Sequence, residues 1–239
     1  MTEPITGPMK RGRNTAENTP SVAVLLFGDG RARRRCGPLN GLPIRRAESS
    51  ADFDAIDAAI GLYRRLVVVG ADADLAAVLS RLLRAERLDV ELAYVPRRRT
   101  PATRVYRLPA GRRAARRARR GSARRVTLIR DETGLVVVGR AGWLPADGRQ
   151  LIHGEAVVDD TPLFDGDVAG VCIEPTLAVP GLRASVKNRA HRIWRRWVAG
   201  RAVQLGSTGA AVVRDGVPAA RASRRSTFYR HVEGWLLVR

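Results

Sequence analysis

The sequence predicts an α/β domain with a parallel sheet, followed by an all-β, sandwich-like domain. In the first half, strongly apolar strand-like segments alternate with helical patterns, which is the order of βαβ units. In the second half, short apolar segments are separated by turn residues every ~8–12 positions, as in β-sandwiches. The chain has 239 residues, enough for one large or two small domains with a buried core.

The first half contains three predicted strands and two predicted helices in alternation. The strand segments are apolar on both faces, as strands of a covered parallel sheet are. The helical segments carry apolar residues at helical spacing and follow Ser or Asp residues that can cap them. The strands lie at 21–27, 66–69 and 90–95, and the helices lie at 53–63 and 74–83.

The second half is predicted to consist of consecutive short strands. Asp131–Gly134 and Asp215–Gly216 lie between apolar segments and are typical of hairpin turns. The strand segments are 126–129, 135–138, 155–158, 168–173, 182–186, 202–205, 211–213 and 235–238. We therefore divide the chain into a disordered tail (1–20), an α/β domain (21–110), an arginine-rich junction (111–125) and a β-sandwich domain (126–239).

The chain is strongly basic, with 43 Lys and Arg residues against 23 Asp and Glu residues and a net charge of +20. Residues 97–125 contain 13 arginines and no acid. Such a charge implies anionic partners, namely nucleic acid, a phospholipid surface or phosphorylated ligands. A GC-rich genome, which raises Arg and Ala together, is the alternative source of the arginine excess.

Two classes of protein are excluded by the sequence pattern. No apolar run approaches the ~18 residues of a membrane-spanning helix, and residues 1–20 lack the apolar stretch of a secretory signal. Cys36 and Cys172 are the only cysteines, which argues against a disulfide framework and a zinc site. We therefore expect a cytoplasmic protein without a transmembrane segment.

A phosphate-binding geometry is predicted where strand 66–69 runs through Gly70 into a helix that opens with Asp72 and Asp74. Such a turn points backbone N–H groups and the positive helix end at its occupant, which favours phosphate. Two carboxylates there repel a bare phosphate unless Mg²⁺ bridges them. An ordinary βα turn capped by one of the aspartates is the structural alternative.

The order of these segments resembles the diacylglycerol kinase catalytic-domain family, soluble bacterial lipid kinases related in fold to NAD kinases. Gly70 and Asp72 lie where that family has a Gly-Gly-Asp-Gly-Thr turn. Val95-Pro96 and Leu108-Pro109 are similar to the segments that flank its Gly-Thr-Gly-Asn loop. In the last strands, Asp215 corresponds to the residue taken as the catalytic base. The resemblance implies ATP- and Mg²⁺-dependent phosphorylation of a lipid hydroxyl.

The similarity spans residues 21–239, but the nucleotide turn departs from the family pattern. Ala71 and Ala73 replace glycines, and an added Cβ disfavours the left-handed backbone by ~1 kcal/mol or more. We therefore predict a catalytically impaired lipid-kinase-like protein, with ATP and Mg²⁺ as cofactors if it is active and none otherwise. The candidate base is Asp215, and the candidate nucleotide-binding residues are Gly70, Asp72, Asp74, Arg97, Arg98 and Arg99.

A second acidic cluster contains Asp159, Asp160 and Asp165. Oxygen ligands at such close spacing are candidates for a Mg²⁺ or Ca²⁺ site. The order of residues does not match an EF-hand loop. Turn residues that pair with nearby arginines are the alternative interpretation.

Residues 188–198 combine arginines with Ile193, Trp194 and Trp197 on one predicted helix face. This composition is typical of an interfacial helix at anionic headgroups, and it also suits base stacking on nucleic acid. Tryptophans packed inside the β domain are the structural alternative. We favour an anionic membrane surface at the inner membrane face as the partner. The rival is a basic nucleic-acid-binding protein on a kinase-like scaffold.

Overall fold

The computed structural model describes residues 21–28, 37–187 and 196–239. The tail predicted at 1–20 and residues 188–195 of the basic aromatic segment lie outside the described residues. The strands form two sheets, one mainly parallel and one antiparallel. This arrangement confirms the predicted fold class, an α/β part with a parallel sheet followed by an all-β part.

The first sheet has six strands, and four of its five pairings are parallel. Its members are β1 (Val22–Phe27), β2 (Ile44–Ala47), β3 (Arg65–Val69), β4 (Glu91–Tyr94), β5 (Ala123–Val126) and β17 (Trp235–Val238). Their order across the sheet is β2-β1-β3-β4-β17-β5. Both faces of β1 and β3 are covered, which explains why their sequences are apolar throughout.

In the described part of the chain, four helices pack on the two faces of this sheet. They are α1 (Phe53–Ile60), α2 (Asp72–Arg84), α3 (Pro101–Val105) and α4 (Gly111–Arg120), and a 3-10 turn lies at Gly37–Leu39. The apolar stripes of α1 and α2 bury Ile56 and Leu79 in a core with Leu25. On the opposite face, Ala115 of α4 packs in a cluster with Leu26.

The second sheet is antiparallel and has eleven strands within the described ranges. In chain order they are β6 (Ile129–Asp131), β7 (Val136–Val137), β8 (Ala141–Pro145), β9 (Ile152–Val158), β10 (Thr161–Val168), β11 (Val171–Pro175), β12 (Leu182–Val186), β13 (Val198–Gly200), β14 (Ala202–Arg214), β15 (Val217–Pro218) and β16 (Ser223–Arg230). The register of β14 shifts between Gly206 and Ala210, so its first half pairs with β16 and β9 and its second half with β8. The sheet encloses one core around Trp143 and Phe228, both fully buried.

The last strand lies in a different sheet from the one the sequence analysis assigned. Residues 235–238 were predicted within the β-sandwich, but β17 pairs in parallel with β4 and antiparallel with β5. Its register places Leu237 opposite Leu92 of β4. The apolar pattern identifies a strand, but it does not identify the partner of that strand. The last strand of the predicted range 126–239 therefore belongs to the first sheet.

The arginine-rich segment 111–125, predicted as a junction, contains regular structure. Residues 111–120 form α4, and 123–126 form the edge strand β5. Ala114, Ala115 and Ala118 are buried, whereas the arginines of α4 are exposed. No helix among the described residues has the length and apolar character needed to cross a membrane.

Candidate functional site

A cavity of 420 Å³ between α2, α3 and the second sheet contains two carboxylates, those of Asp72 and Asp215. The sequence analysis predicted both residues as site residues, and the structure brings them to one cavity. Two basic side chains, Arg140 and Lys187, line it as well. The remaining lining residues are Thr100, Pro101, Ala141, Gly142, Leu144, Cys172, Val213 and Gly216.

Asp72 is the first residue of α2 and is only 7% exposed. Its Oδ1 accepts a hydrogen bond from the Tyr94 hydroxyl at 2.7 Å, and its Oδ2 accepts one from the backbone N–H of Ala102 at 3.0 Å. Burial raises the pKa of Tyr94, and the nearby Asp72 charge raises it further, so the phenol remains a donor. Asp72 thus ties together α2, the end of β4 and α3.

Asp215 lies in the turn between β14 and β15, with a left-handed backbone φ of 47°. Its carboxylate accepts three backbone hydrogen bonds, from Val138 at 2.9 Å, Gly139 at 2.7 Å and Arg140 at 2.9 Å. Burial raises the pKa of Asp215 to about 6; the three N–H donors oppose this rise, and the Asp72 charge adds to it. A carboxyl group in this range is suited to general-base work near neutral pH.

Gly139 connects the two carboxylates, and the sequence analysis did not single it out. Its N–H donates to Asp215, and a Cβ at this position would lie 2.7 Å from Oδ2 of Asp72 and 2.9 Å from Cβ of Pro101. Only glycine fits this close approach. The signal in the sequence is a glycine directly after the apolar run 135–138, followed by Arg140.

The turn at Gly70–Asp74 is closed by its own side chain. Oδ2 of Asp74 accepts a hydrogen bond from the backbone N–H of Ala71 at 2.7 Å. Burial raises the pKa of Asp74, and this hydrogen bond lowers it in part. A Cβ at Gly70 would collide with the Asp74 carboxylate. Neither Gly70 nor Asp74 lines the cavity, so the structure separates them from Asp72 and Asp215.

Arg97, Arg98 and Arg99 are exposed and do not line the cavity. None forms an ion pair with an acid among the described residues. The basic groups that the structure places at the cavity instead are those of Lys187 and Arg140. Nη2 of Arg140 lies 2.7 Å from Oε1 of Glu174.

Glu174 holds two arginines at once. Its Oε1 accepts from Arg140 and its Oε2 from Arg183, whose guanidinium also lies over the ring of Trp197 at 4.3 Å from the ring centroid. Burial alone would raise the pKa of Glu174, but the hydrogen bonds from Arg183 and Arg140 outweigh it and lower the pKa. Trp197 therefore packs against an arginine beside β12 and β13.

The predicted metal ligands Asp159, Asp160 and Asp165 do not form a cluster. Asp159 accepts hydrogen bonds from the backbone N–H groups of Arg201 and Ala202, which fixes the turn between β9 and β10. Asp160 and Asp165 are exposed, and Asp165 pairs across the hairpin with Glu155. Within 21–28, 37–187 and 196–239, no three acidic, histidine or cysteine side chains are grouped as metal ligands.

Comparison of the fold with solved structures gives consistent matches across the chain. A diacylglycerol kinase from Bacillus anthracis str. Sterne superposes with a TM-score of 0.72, 10% sequence identity and coverage of 92% of this chain and 96% of that chain. The chain has a diacylglycerol-kinase-like fold. An NAD kinase from Archaeoglobus fulgidus in complex with ATP matches this fold with a TM-score of 0.58, 12% identity and coverage of 91% and 93% of the two chains.

Yeast NADH kinase complexed with NADH also shares the diacylglycerol-kinase-like fold. The TM-score is 0.58, the identity is 8%, and the match covers 93% of this chain and 84% of that chain. No protein-family model matches the sequence, and no curated protein sequence matches it either. At these identities the comparisons establish the shared fold.

The hydrogen bond between Tyr94 and Asp72 gives a first testable expectation within the diacylglycerol-kinase-like fold. Replacing Tyr94 with Phe removes one of the two protein donors to a buried carboxylate. The free energy of unfolding should fall by about 1–3 kcal/mol. Urea titration of Tyr94→Phe, Asp72→Asn and the double variant measures this. If the two single effects simply add, the two groups do not interact.

Proposed function

We propose that this protein is a catalytically impaired lipid-kinase-like protein that binds anionic phospholipid peripherally at the inner membrane face. The exposed arginine face of α4 is the observation that carries the proposal. Its members are Arg112, Arg113, Arg116, Arg117, Arg119 and Arg120, and none forms an ion pair with a described acid. Each arginine close to an anionic membrane contributes about 1 kcal/mol of attraction.

The surroundings of α4 add to the same charge. Of the 13 arginines in residues 97–125, Arg125 is the one that forms an ion pair with a described acid, Glu233, at 2.5 Å. Arg97, Arg98 and Arg99 are exposed just before α3. A basic surface with so few internal partners is available to external phosphate groups. The helix has no aromatic residue, so electrostatic attachment fits it better than base stacking.

Catalytic impairment is supported by the closed turn at the start of α2. A triphosphate at a helix N-terminus is held by backbone N–H groups. Here the N–H of Ala71 is taken by Asp74, and the Asp72 carboxylate is held by Tyr94 and Ala102. These residues do not fit a bare triphosphate at this turn, because two carboxylates lie there and the N–H of Ala71 already donates to one of them. We therefore derive no phosphoryl-transfer step.

Sedimentation of the full chain with vesicles tests the membrane proposal. We expect binding to phosphatidylglycerol vesicles, no binding to phosphatidylcholine vesicles, and loss of binding at high salt. A variant with Arg112, Arg113, Arg116 and Arg117 changed to Gln should lose affinity by more than about tenfold. The control changes Arg45, Arg46, Arg221 and Arg224, all exposed elsewhere, to Gln. If the full chain binds neither the phosphatidylglycerol vesicles nor the phosphatidylcholine vesicles, the proposal is overturned.

Binding to nucleic acid is the rival function, and it is tested with the same protein. Retention on duplex DNA with a steep salt dependence, combined with no binding to anionic vesicles, would favour the rival function. The same arginine variants then report which surface binds the duplex.

An active kinase is the second candidate, because Asp72 and Asp215 line one cavity and the pKa of Asp215 is raised to about 6. Calorimetry with Mg-ATP distinguishes an active kinase from a catalytically impaired protein. For an impaired protein we expect no binding heat, and no change in Asp72→Ala. Binding heat that appears in the wild type and disappears in Asp72→Ala would favour an active kinase over an impaired one.

A further inference from the structure

A second region of ligand size lies on the α4 side of the first sheet, built from residues other than those of the Asp72–Asp215 cavity. The turn around Asn40 borders a basic notch of 340 Å³ and an apolar cavity of 600 Å³. Asn40 lines both, so the two spaces adjoin. Small-molecule sites have volumes of about 300–1,000 Å³. Each space is therefore large enough to hold part of a ligand.

The notch is formed by three arginines of α4 and by the turn. Arg116, Arg119 and Arg120 are three and four residues apart, so they lie on one side of the helix. Nη1 of Arg119 donates to the carbonyl oxygens of Pro38 at 3.0 Å and Asn40 at 3.1 Å. These two bonds hold one guanidinium in place at the rim. None of the three arginines pairs with an acid in the described part of the chain.

The adjoining cavity is apolar. The side chains of Val24, Leu26 and Val69 form its floor. They lie on the same face of the first sheet as α4. Leu39 and Ile44 are among the residues that complete its wall, and Ile44 is 37% exposed. A space with these walls favours a hydrocarbon group rather than a polar one.

We propose that notch and cavity form one site for a lipid phosphomonoester, with the phosphate on the three arginines and an acyl chain in the cavity. The inference rests on the proposed binding of anionic phospholipid and adds the headgroup. A phosphomonoester has three terminal oxygens and a charge of about −1.5 to −2 near pH 7. A phosphodiester has two terminal oxygens and one charge. Three guanidinium groups around one concave space therefore favour the monoester.

Vesicles of matched surface charge test the headgroup. Phosphatidylcholine vesicles carry either phosphatidic acid or phosphatidylglycerol, in amounts that give the same surface potential. The full chain should bind the phosphatidic acid vesicles more tightly, by about tenfold or more. A flat basic surface would bind both equally, because it senses only the total charge.

A pair of matched double variants locates the preference on α4. Arg116→Gln with Arg120→Gln removes two notch arginines and should abolish the preference for phosphatidic acid. Arg113→Gln with Arg117→Gln removes the same charge from exposed positions outside the notch. This control should weaken binding to both vesicle types alike and keep the preference. Loss of the preference in both double variants would contradict the notch.

The acyl chain is tested with soluble ligands. Calorimetry compares dihexanoyl phosphatidic acid, below its micelle concentration, with glycerol 3-phosphate, which has the phosphate but no chain. We expect the lipid to bind at least about tenfold more tightly. Ile44→Trp, which fills the cavity, should weaken lipid binding, whereas Leu135→Trp, at an exposed position outside the cavity, should not.

Three results would overturn the inference. Equal affinity for the two vesicle types would remove the headgroup preference and leave the proposed binding to anionic surfaces intact. Binding to neither type would overturn both. Equal affinity for glycerol 3-phosphate and the short-chain lipid would show a site for free phosphate compounds rather than for lipid.

Discussion

Replacing Trp235 with Ala is expected to lower the free energy of unfolding by about 3–5 kcal/mol. Trp235 is 1% exposed in the core of the first sheet, at the start of β17. Its ring meets that of Tyr106 edge-on, with centroids 5.3 Å apart. Truncation removes a large apolar area from the core and leaves a cavity between β17 and α3. Because β17 connects β4 to β5, the loss also weakens the pairing of the edge strand.

Two further variants separate packing from other causes. Trp235→Phe keeps an aromatic ring and most of the side-chain volume in this core, so it should cost less than about 1.5 kcal/mol. Val232→Ala, at a residue 97% exposed three positions earlier, should change stability by less than about 0.5 kcal/mol. Urea unfolding followed by tryptophan fluorescence or circular dichroism measures all three. A loss below about 1 kcal/mol for Trp235→Ala would contradict the packing of β17.

The second large effect is the pH dependence of stability that Asp215 causes. Burial raises its pKa from 3.8 to about 6 in the folded protein. The folded state therefore holds this proton more tightly than the unfolded state does. The contribution of Asp215 to stability is highest below about pH 4 and falls as the pH rises through 6. The gap between the two pKa values corresponds to about 3 kcal/mol.

The measurement compares the wild type with Asp215→Asn between pH 4 and 7.5. Asparagine does not titrate and tolerates the left-handed backbone at this turn. Taking the difference between the two proteins cancels other groups, including Glu174, whose lowered pKa has the opposite effect on stability. We expect the wild type to lose about 2 kcal/mol relative to the variant over this range, because the carboxyl of the unfolded chain is already partly ionised at pH 4. The exposed Asp160→Asn is the control and should show no such trend.

A constant difference across the pH range would contradict this expectation for Asp215. A difference of the opposite sign would mean that the N–H groups of Val138, Gly139 and Arg140 stabilise the carboxylate more than burial destabilises it. That result would also remove the argument for Asp215 as a general base near neutral pH.

The apolar patterns of the first half predicted β1, β3 and α2 correctly, and the order of motifs led to Asp72 and Asp215. Such elements are visible because a strand that is covered on both faces must be apolar throughout. The apolar pattern of α4 is a weaker indication of a helix. Its buried side chains are alanines among six arginines, so the apolar face is weak compared with the charge. The sequence analysis therefore did not predict this helix.

The arginine notch is a second feature that the sequence pattern alone does not predict. Arg116 and Arg119 were part of a charged run in the sequence, without any indication of what they face. Only the packing of α4 against the turn at Pro38 and Asn40 gives them a concave surface. Likewise, the hydrogen bond by which Asp74 closes the turn at Gly70–Asp74 depends on a side-chain rotamer that no residue pattern specifies.

Local composition and periodicity are enough to predict the α/β and all-β parts of the fold, the positions of most strands and the excess of positive charge. The tertiary structure alone decided that β17 returns to the first sheet, that Asp72 and Asp215 meet in one cavity, and that Asp159 fixes a turn instead of joining Asp160 and Asp165. These results depend on contacts between residues far apart in the chain. Such contacts arise from packing and hydrogen-bond satisfaction of the whole fold, which a local pattern does not contain.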